Sequence, residues 1–361
     1  MKHILINTNA IVNNLRRVHE LAGDARVIAV LKGNAYGMGL LEIAEILAQE
    51  GIDFFAVTEV DDAVTLRDAG HSADILLLRS TAELQDITAA LDAACILTIG
   101  GDEALSAASR VATERGVKAR AHIEIDIGMG RYGYGTHEFN KIIAAYEQAH
   151  ITIEGIYAHF PAAFGKIRPT LAQKAVFDSV LTHLKSKNID IGMVHLANSS
   201  ALFFVDGTRY DAVRIGSALT GRLPRVLNNS GLTSATKVQC AVSDIRELPK
   251  GSTIGYASVF KTKRLTKIAI LPIGGADGFC LAKVRDSYRF RDALGYALSE
   301  IKGWLTGKKI TVKLNGRRIP VLGHVGMGHT VIDMTRLDVK IGQIVEVDVN
   351  PVYAKLPRAY E

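Results

Sequence analysis

Lysine, arginine and histidine residues able to bind an anion or move a proton recur at the ends of short apolar runs in this 361-residue sequence. Lys32 follows the run at residues 27–31 and opens a turn rich in glycine, Gly33-Asn34-Ala35-Tyr36-Gly37-Met38-Gly39. An amine half-shielded by apolar neighbours loses its proton more easily than a surface amine and can act as a nucleophile. Alone, Lys32 also reads as a surface lysine at the start of a loop. His159 ends Glu154-Gly155-Ile156-Tyr157-Ala158-His159-Phe160 and by itself reads as a core histidine. Arg214 sits inside Val213-Arg214-Ile215-Gly216; a buried arginine costs too much to lack a partner, whether a structural carboxylate or a ligand. Asn198 and Ser199, in His195-Leu196-Ala197-Asn198-Ser199, suit a helix start, where small polar side chains cap the helix or receive a phosphate. Gly216 and Ser217 add donors, and Arg131 lies in Asp126-Ile127-Gly128-Met129-Gly130-Arg131.

The elements that must position these residues alternate. Strand-like runs fall at 27–31, 54–58, 75–78, 95–98, 121–126, 153–158, 193–196 and 212–215, after a first candidate at 3–7. Helical patterns lie between them, at 10–21, 41–49, 60–69, 81–91, 102–115, 139–148 and 171–186. Strands separated by helices imply parallel pairing with right-handed crossovers, and eight such strands close a (β/α)8 TIM barrel. An open doubly wound sheet is the alternative, but no G-x-G-x-x-G follows the first strand. On a barrel, Lys32, Arg131, His159, Asn198, Ser199 and Arg214 all fall at the C-terminal strand ends, where barrel enzymes carry their chemistry. Beyond Pro224 the character changes to short β-type runs at 237–242, 267–271, 310–314, 331–333 and 344–349, with a stretch at 288–305 that is either helical or an irregular insertion. The chain is therefore α/β, with a barrel over residues 1–228 and a mainly β domain over 229–361.

Composition narrows the function. Hydrophobic content of 48% and mean hydropathy of +0.15 give enough apolar surface for a substantial core. Three scattered cysteines build neither a disulfide framework nor a zinc site, and no metal is expected. The net charge of +6 is spread along a chain with one tryptophan and no aromatic-basic interleaving, so small anions suit it better than nucleic acid. No signal-type or spanning apolar run occurs; a cytoplasmic location with no membrane partner is expected.

The run Val30-Leu31-Lys32-Gly33-Asn34-Ala35-Tyr36-Gly37-Met38-Gly39 resembles the signature of the alanine racemase family, whose lysine carries pyridoxal phosphate as a Schiff base. The resemblance extends over nearly the whole chain, through Asp126 to Arg131, Glu154 to Phe160, His195 to Ser199 and Val213 to Gly216. It continues with Gly255-Tyr256, Leu271 to Gly274, Ala276-Asp277-Gly278 and Gly323 to Met327. It implies a pyridoxal phosphate barrel of fold type III, a C-terminal β domain that residues 1–8 join, and a head-to-tail homodimer with shared active sites. Lys32 and Tyr256 of the partner subunit would be the two bases that move the Cα proton. A phenol is a weak base near neutrality, so His159 and Arg214 would support it. Arg214 would hydrogen-bond the cofactor's ring nitrogen; Tyr36, Asn198, Ser199, Gly216, Ser217 and Tyr353 would help to hold the cofactor; Arg131 and Met327 would receive the substrate carboxylate.

Departures accompany the resemblance. Glu124 stands where family members commonly carry a lysine, often carbamylated; Gly275 and Ala354 stand where tyrosines narrow the entrance; Phe164 replaces an aspartate; and Gly326-Met327-Gly328-His329 replaces C-M-D-Q. A wider mouth admits serine, lysine, arginine or ornithine beside alanine. A decarboxylase of similar plan and a non-catalytic pyridoxal phosphate-binding barrel are the alternative classes. The first lacks its Gly-rich phosphate loop here, and the second lacks a β domain.

Overall fold

The computed structural model describes residues 1–163, 165, 167–223, 230–281, 290–306 and 309–361. They form two compact units, Asn7–Ala235 and Met1–Ile6 together with Thr236–Glu361. The sequence-level division at residue 228, and Phe164, lie outside the described residues.

After β1 (Lys2–Ile6), the larger unit carries β2 (Arg26–Val30), β3 (Phe54–Val57), β4 (Asp74–Leu77), β5 (Leu97–Ile99), β6 (Ala119–Asp126), β7 (Tyr134–Gly135), β8 (Ile151–Ala158), β9 (Met193–Asn198) and β10 (Ala212–Ile215). Parallel strands covered on both faces read as unbroken apolar runs, which is why these segments were visible as runs rather than alternations. The main order is β4-β3-β2-β10-β9-β8-β6-β5, with β7 paired to the end of β6. A bridge between Leu76 and Ile96 joins the two edges, so the eight main strands form a nearly closed TIM-like barrel. Ile28, Val30, Phe54, Ala56, Leu76, Ile96, Tyr157 and Ala212 form a buried apolar cluster in this barrel. Helices Thr8–Ala22, Leu40–Gln49, Val60–Asp68, Leu84–Asp92, Asp102–Arg115, Phe139–Tyr146, Ile167–Ser186 and Ser199–Phe204 alternate with the strands. Where β6 meets β8 the register slips between Ala121 and His122.

The smaller unit is mainly β. Its strands are β11 (Thr236–Ala241), β12 (Asp244–Leu248), β13 (Thr253–Ile254), β14 (Phe260–Lys261), β15 (Thr266–Leu271), β16 (Thr311–Leu314), β17 (Arg317–Pro320), β18 (Thr330–Asp333), β19 (Ile344–Val347) and β20 (Arg358–Tyr360). One sheet runs β17-β16-β19-β11-β1-β20; β12-β15-β18 and the hairpin β13-β14 complete the unit. β1 pairs antiparallel with β11 and parallel with β20. β12 and β17 had no sequence signal because their residues are largely exposed and charged. The stretch at 288–305 is helical over Phe290–Leu305; Tyr288 and Arg289 lie outside the described residues. Among the described residues no helix is long and apolar enough to cross a membrane, and no cluster of His, Cys, Asp or Glu could hold a metal ion.

Candidate active site

A cavity of about 460 Å³ lies at the C-terminal ends of the barrel strands, and nine of the twelve residues singled out from the sequence line it. Lys32 leads the chain out of β2 into an unusual turn. Gly33, Asn34, Ala35 and Tyr36 all have left-handed backbone angles, with φ between 50° and 62°. For L-residues with a Cβ that conformation costs about 1–2 kcal/mol each. The buried Ala35 and the Asn34 side chain, which accepts from Leu40 N at 2.7 Å, help to hold the turn. Non-glycine residues held left-handed in this way concentrate at functional sites. The turn places the Tyr36 hydroxyl over Gly216, where an added Cβ would lie 2.2 Å from its oxygen. Only glycine leaves that space.

The loops after β9 and β10 are tied by Ser199, whose Oγ accepts from Gly216 N at 3.2 Å and Ala218 N at 3.3 Å. Asn198 caps the following short helix by accepting from Ala201 N at 3.0 Å. Ser217 completes this hydroxyl-rich side of the cavity. After β6, the Asp126 carboxylate accepts from the backbone N–H groups of Gly128, Met129 and Gly130, an Asx-type turn that precedes Arg131.

Charge in the cavity is mostly positive. Burial, then Arg131, then Arg214 lower the pKa of the Lys32 amine from the ordinary lysine value. The same direction makes the neutral, nucleophilic amine more accessible. Arg214 is buried and donates to His195 Nδ1 at 2.7 Å, His195 O at 3.1 Å, Ala158 O at 2.7 Å and His159 Nδ1 at 3.4 Å. Its guanidinium lies over the Tyr157 ring, 4.6 Å from the centroid. Burial, reinforced by Arg214, Arg131 and Lys32, pushes the His159 pKa down to about 3, so this imidazole is neutral at pH 7. Burial likewise raises Tyr36 to about 12. Glu124 is buried, 3.9 Å from Arg131, and accepts from the Tyr157 hydroxyl at 3.3 Å. Burial raises its pKa although Arg214 and Arg131 oppose the shift, so it is a weaker counter-charge than an exposed carboxylate.

Tyr256, Met327 and Tyr353 belong to the smaller unit and do not line the cavity; each is exposed, at 71%, 80% and 62%. Tyr256 follows Gly255 and precedes Ala257 and Ser258, three residues with positive φ that form a tight turn. The sequence reading missed Thr58, Glu59, Leu78, Arg79 and Tyr132, which also line the cavity. The first four directly follow β3 and β4, so the strand-end rule that found Lys32 applied equally to them.

Two sequence models cover the chain: alanine racemase, N-terminal domain, matches residues 6–224, and alanine racemase, C-terminal domain, matches residues 235–351. The chain belongs to the alanine racemase family. The alanine racemase of Methanococcus maripaludis is 31% identical over 350 residues, covering 95% of this chain and 87% of that protein. Alanine racemase from Bacillus anthracis with bound L-Ala-P superimposes with a TM-score of 0.83 at 27% identity, covering 100% of this chain and 95% of that one. Alanine racemase from Bartonella henselae with covalently bound pyridoxal phosphate gives a TM-score of 0.82 at 25% identity, covering 100% and 99%.

The departures from the family pattern take physical form. A Cβ on Gly275 would have only Gly326 O near it, at 3.9 Å, so the missing side chain leaves open space. Ala354 is buried in its unit, and the adjacent Tyr353 is exposed. The residues present suit pyridoxal phosphate: an amine of lowered pKa, hydroxyls and a close-approach glycine on one side, and the Arg131 and Arg214 guanidinium groups lining the same space.

Proposed function

We propose that the protein is a pyridoxal phosphate-dependent racemase of alanine or a related amino acid, working as a homodimer. The observation that carries this reading is Lys32, an amine of lowered pKa in one cavity with Arg131, His159 and Arg214. When bound, pyridoxal phosphate supplies the electron sink that makes a Cα proton removable. Lys32 would hold the cofactor through its amine, and the same amine would take or return the proton on one face of Cα. Tyr256 of the partner subunit serves the other face; its exposure suits a phenol that reaches a second copy. Arg131 binds the substrate carboxylate, with the Met327 backbone of the partner subunit beside it. Arg214 presents only donors and would hydrogen-bond the cofactor's ring nitrogen without giving up its proton. Tyr36, Asn198, Ser199, Gly216, Ser217 and Tyr353 hold the phosphate end. The open space at Gly275 favours tolerance of side chains longer than methyl.

Deuterium uptake at Cα, measured with added pyridoxal phosphate for alanine, serine, lysine, arginine and ornithine, tests the proposal. Exchange with inversion is expected for at least one of them. Bound cofactor without exchange in any would sink the racemase reading, and CO2 release without inversion would make the protein a decarboxylase.

A further inference from the structure

Beneath the cavity lies a pair of buried imidazoles that the proposed chemistry does not use. His122 Nδ1 is 2.8 Å from His195 Nε2, and His195 Nδ1 is 2.7 Å from Arg214 Nη1. Both rings are shut off from solvent, His122 at 1% and His195 at 0% exposure. The protons in this chain follow from the arginine. A guanidinium only donates, so His195 Nδ1 must accept and its proton sits on Nε2. That N–H then points at His122 Nδ1, which must accept in turn, leaving the His122 proton on Nε2. Both rings are neutral in this arrangement. Burial, then the Arg214 charge, pushes His122 down to about 3 and His195 well below its ordinary value, in agreement with that assignment.

The surrounding chain is shaped to keep this geometry. The register slip between Ala121 and His122 is a local irregularity of the kind that re-aims a side chain. The neighbouring strand carries Gly155 there; an added Cβ would lie 2.9 Å from His122 Cε1 and Nε2 and 2.6 Å from Met193 O. Phe54 meets His122 edge-on, with centroids 6.2 Å apart, and Tyr157 stacks on His195 at 4.8 Å and 17°. Neither ring has room to turn freely.

We infer that His122 is a positioning residue: by accepting from His195 it holds that ring in the Nε2–H form, and so fixes the direction in which Arg214 donates into the cavity. The catalytic side of this inference rests on the proposed racemase reading; the tautomer side does not. Replacing His122 by leucine leaves the buried His195 N–H without an acceptor, a costly state that favours ring or proton rearrangement. Replacing it by asparagine places Oδ1 near the position of Nδ1 and keeps the acceptor.

The test uses the full chain labelled with 15N, with and without added pyridoxal phosphate, and reads the His195 ring nitrogens by long-range 1H–15N correlation. Wild type and His122→Asn are expected to show one Nε2–H form of His195, with kcat for Cα exchange within about twofold of each other. His122→Leu is expected to show mixed or exchanging His195 forms and a kcat about tenfold lower at nearly unchanged KM. A wild-type His195 protonated on Nδ1, a leucine variant with wild-type nitrogen signals and kcat, or equal kcat losses in both variants would overturn the inference. If no amino acid exchanges at all, the nitrogen signals still decide the tautomer claim, separately from the racemase reading.

Discussion

The two ends of the barrel use arginine in opposite ways. At the strand starts, Arg26 and Arg120 are partly exposed and matched by carboxylates. Arg26 contacts Asp53 at 2.9 Å and Asp74 at 3.4 Å; Arg120 contacts Asp74 at 2.9 Å and Glu154 at 2.7 Å. At the strand ends, Arg131 and Arg214 share a cavity with Lys32, and the nearby Glu124 is itself disfavoured as a carboxylate by burial. Exposed, paired charges contribute little each and shape the edge of the fold. Cations gathered with too little opposing charge instead favour an anionic ligand. The lower end balances its charges within the chain, and the upper end gathers cations around an open cavity.

The same substitution at each end should separate these roles. The larger effect is expected for Arg214→Leu. Leucine leaves the buried acceptors His195 Nδ1, His195 O and Ala158 O without their donor, which should cost about 1–3 kcal/mol of stability. Cα-exchange kcat should fall further, on the order of 100-fold, the scale lost with an electrostatic donor. Stopped assays beside thermal unfolding read both quantities; equal loss of stability and rate would erase the contrast. The smaller effect is expected for Arg120→Leu, which breaks partly screened pairs and should cost about 1 kcal/mol of stability with kcat unchanged. Urea unfolding checks the first part and steady-state kinetics the second. A rate loss at Arg120 comparable to that at Arg214 would mean that the two ends are coupled.

The upper side of this contrast was legible in the sequence, for identifiable reasons. Buried parallel strands need continuous apolar runs, so each of the eight barrel strands lay within two residues of its expected limits. Residues near or just past the ends of those runs had to arrive at one rim, which is how Lys32, Arg131, His159, Asn198, Ser199 and Arg214 came together. The left-handed turn at Gly33 to Tyr36 was not legible, because Ala35 and Tyr36 carry no local preference for positive φ and hold it only through their surroundings. His122 was equally silent: one histidine in an apolar strand says nothing of the register slip that brings it to His195. β12, with its exposed residues Asp244, Glu247 and Arg246, lacked the alternation by which half-buried strands are recognised.

The central claim is that the upper end of the barrel is completed by a cofactor held on Lys32. Incubation with pyridoxal phosphate, reduction by borohydride and peptide mass mapping test it directly. The reduced pyridoxyl group is expected on Lys32 in the wild-type chain and on no lysine at comparable yield in Lys32→Ala. Labelling spread over exposed lysines, or unchanged in that variant, would contradict it.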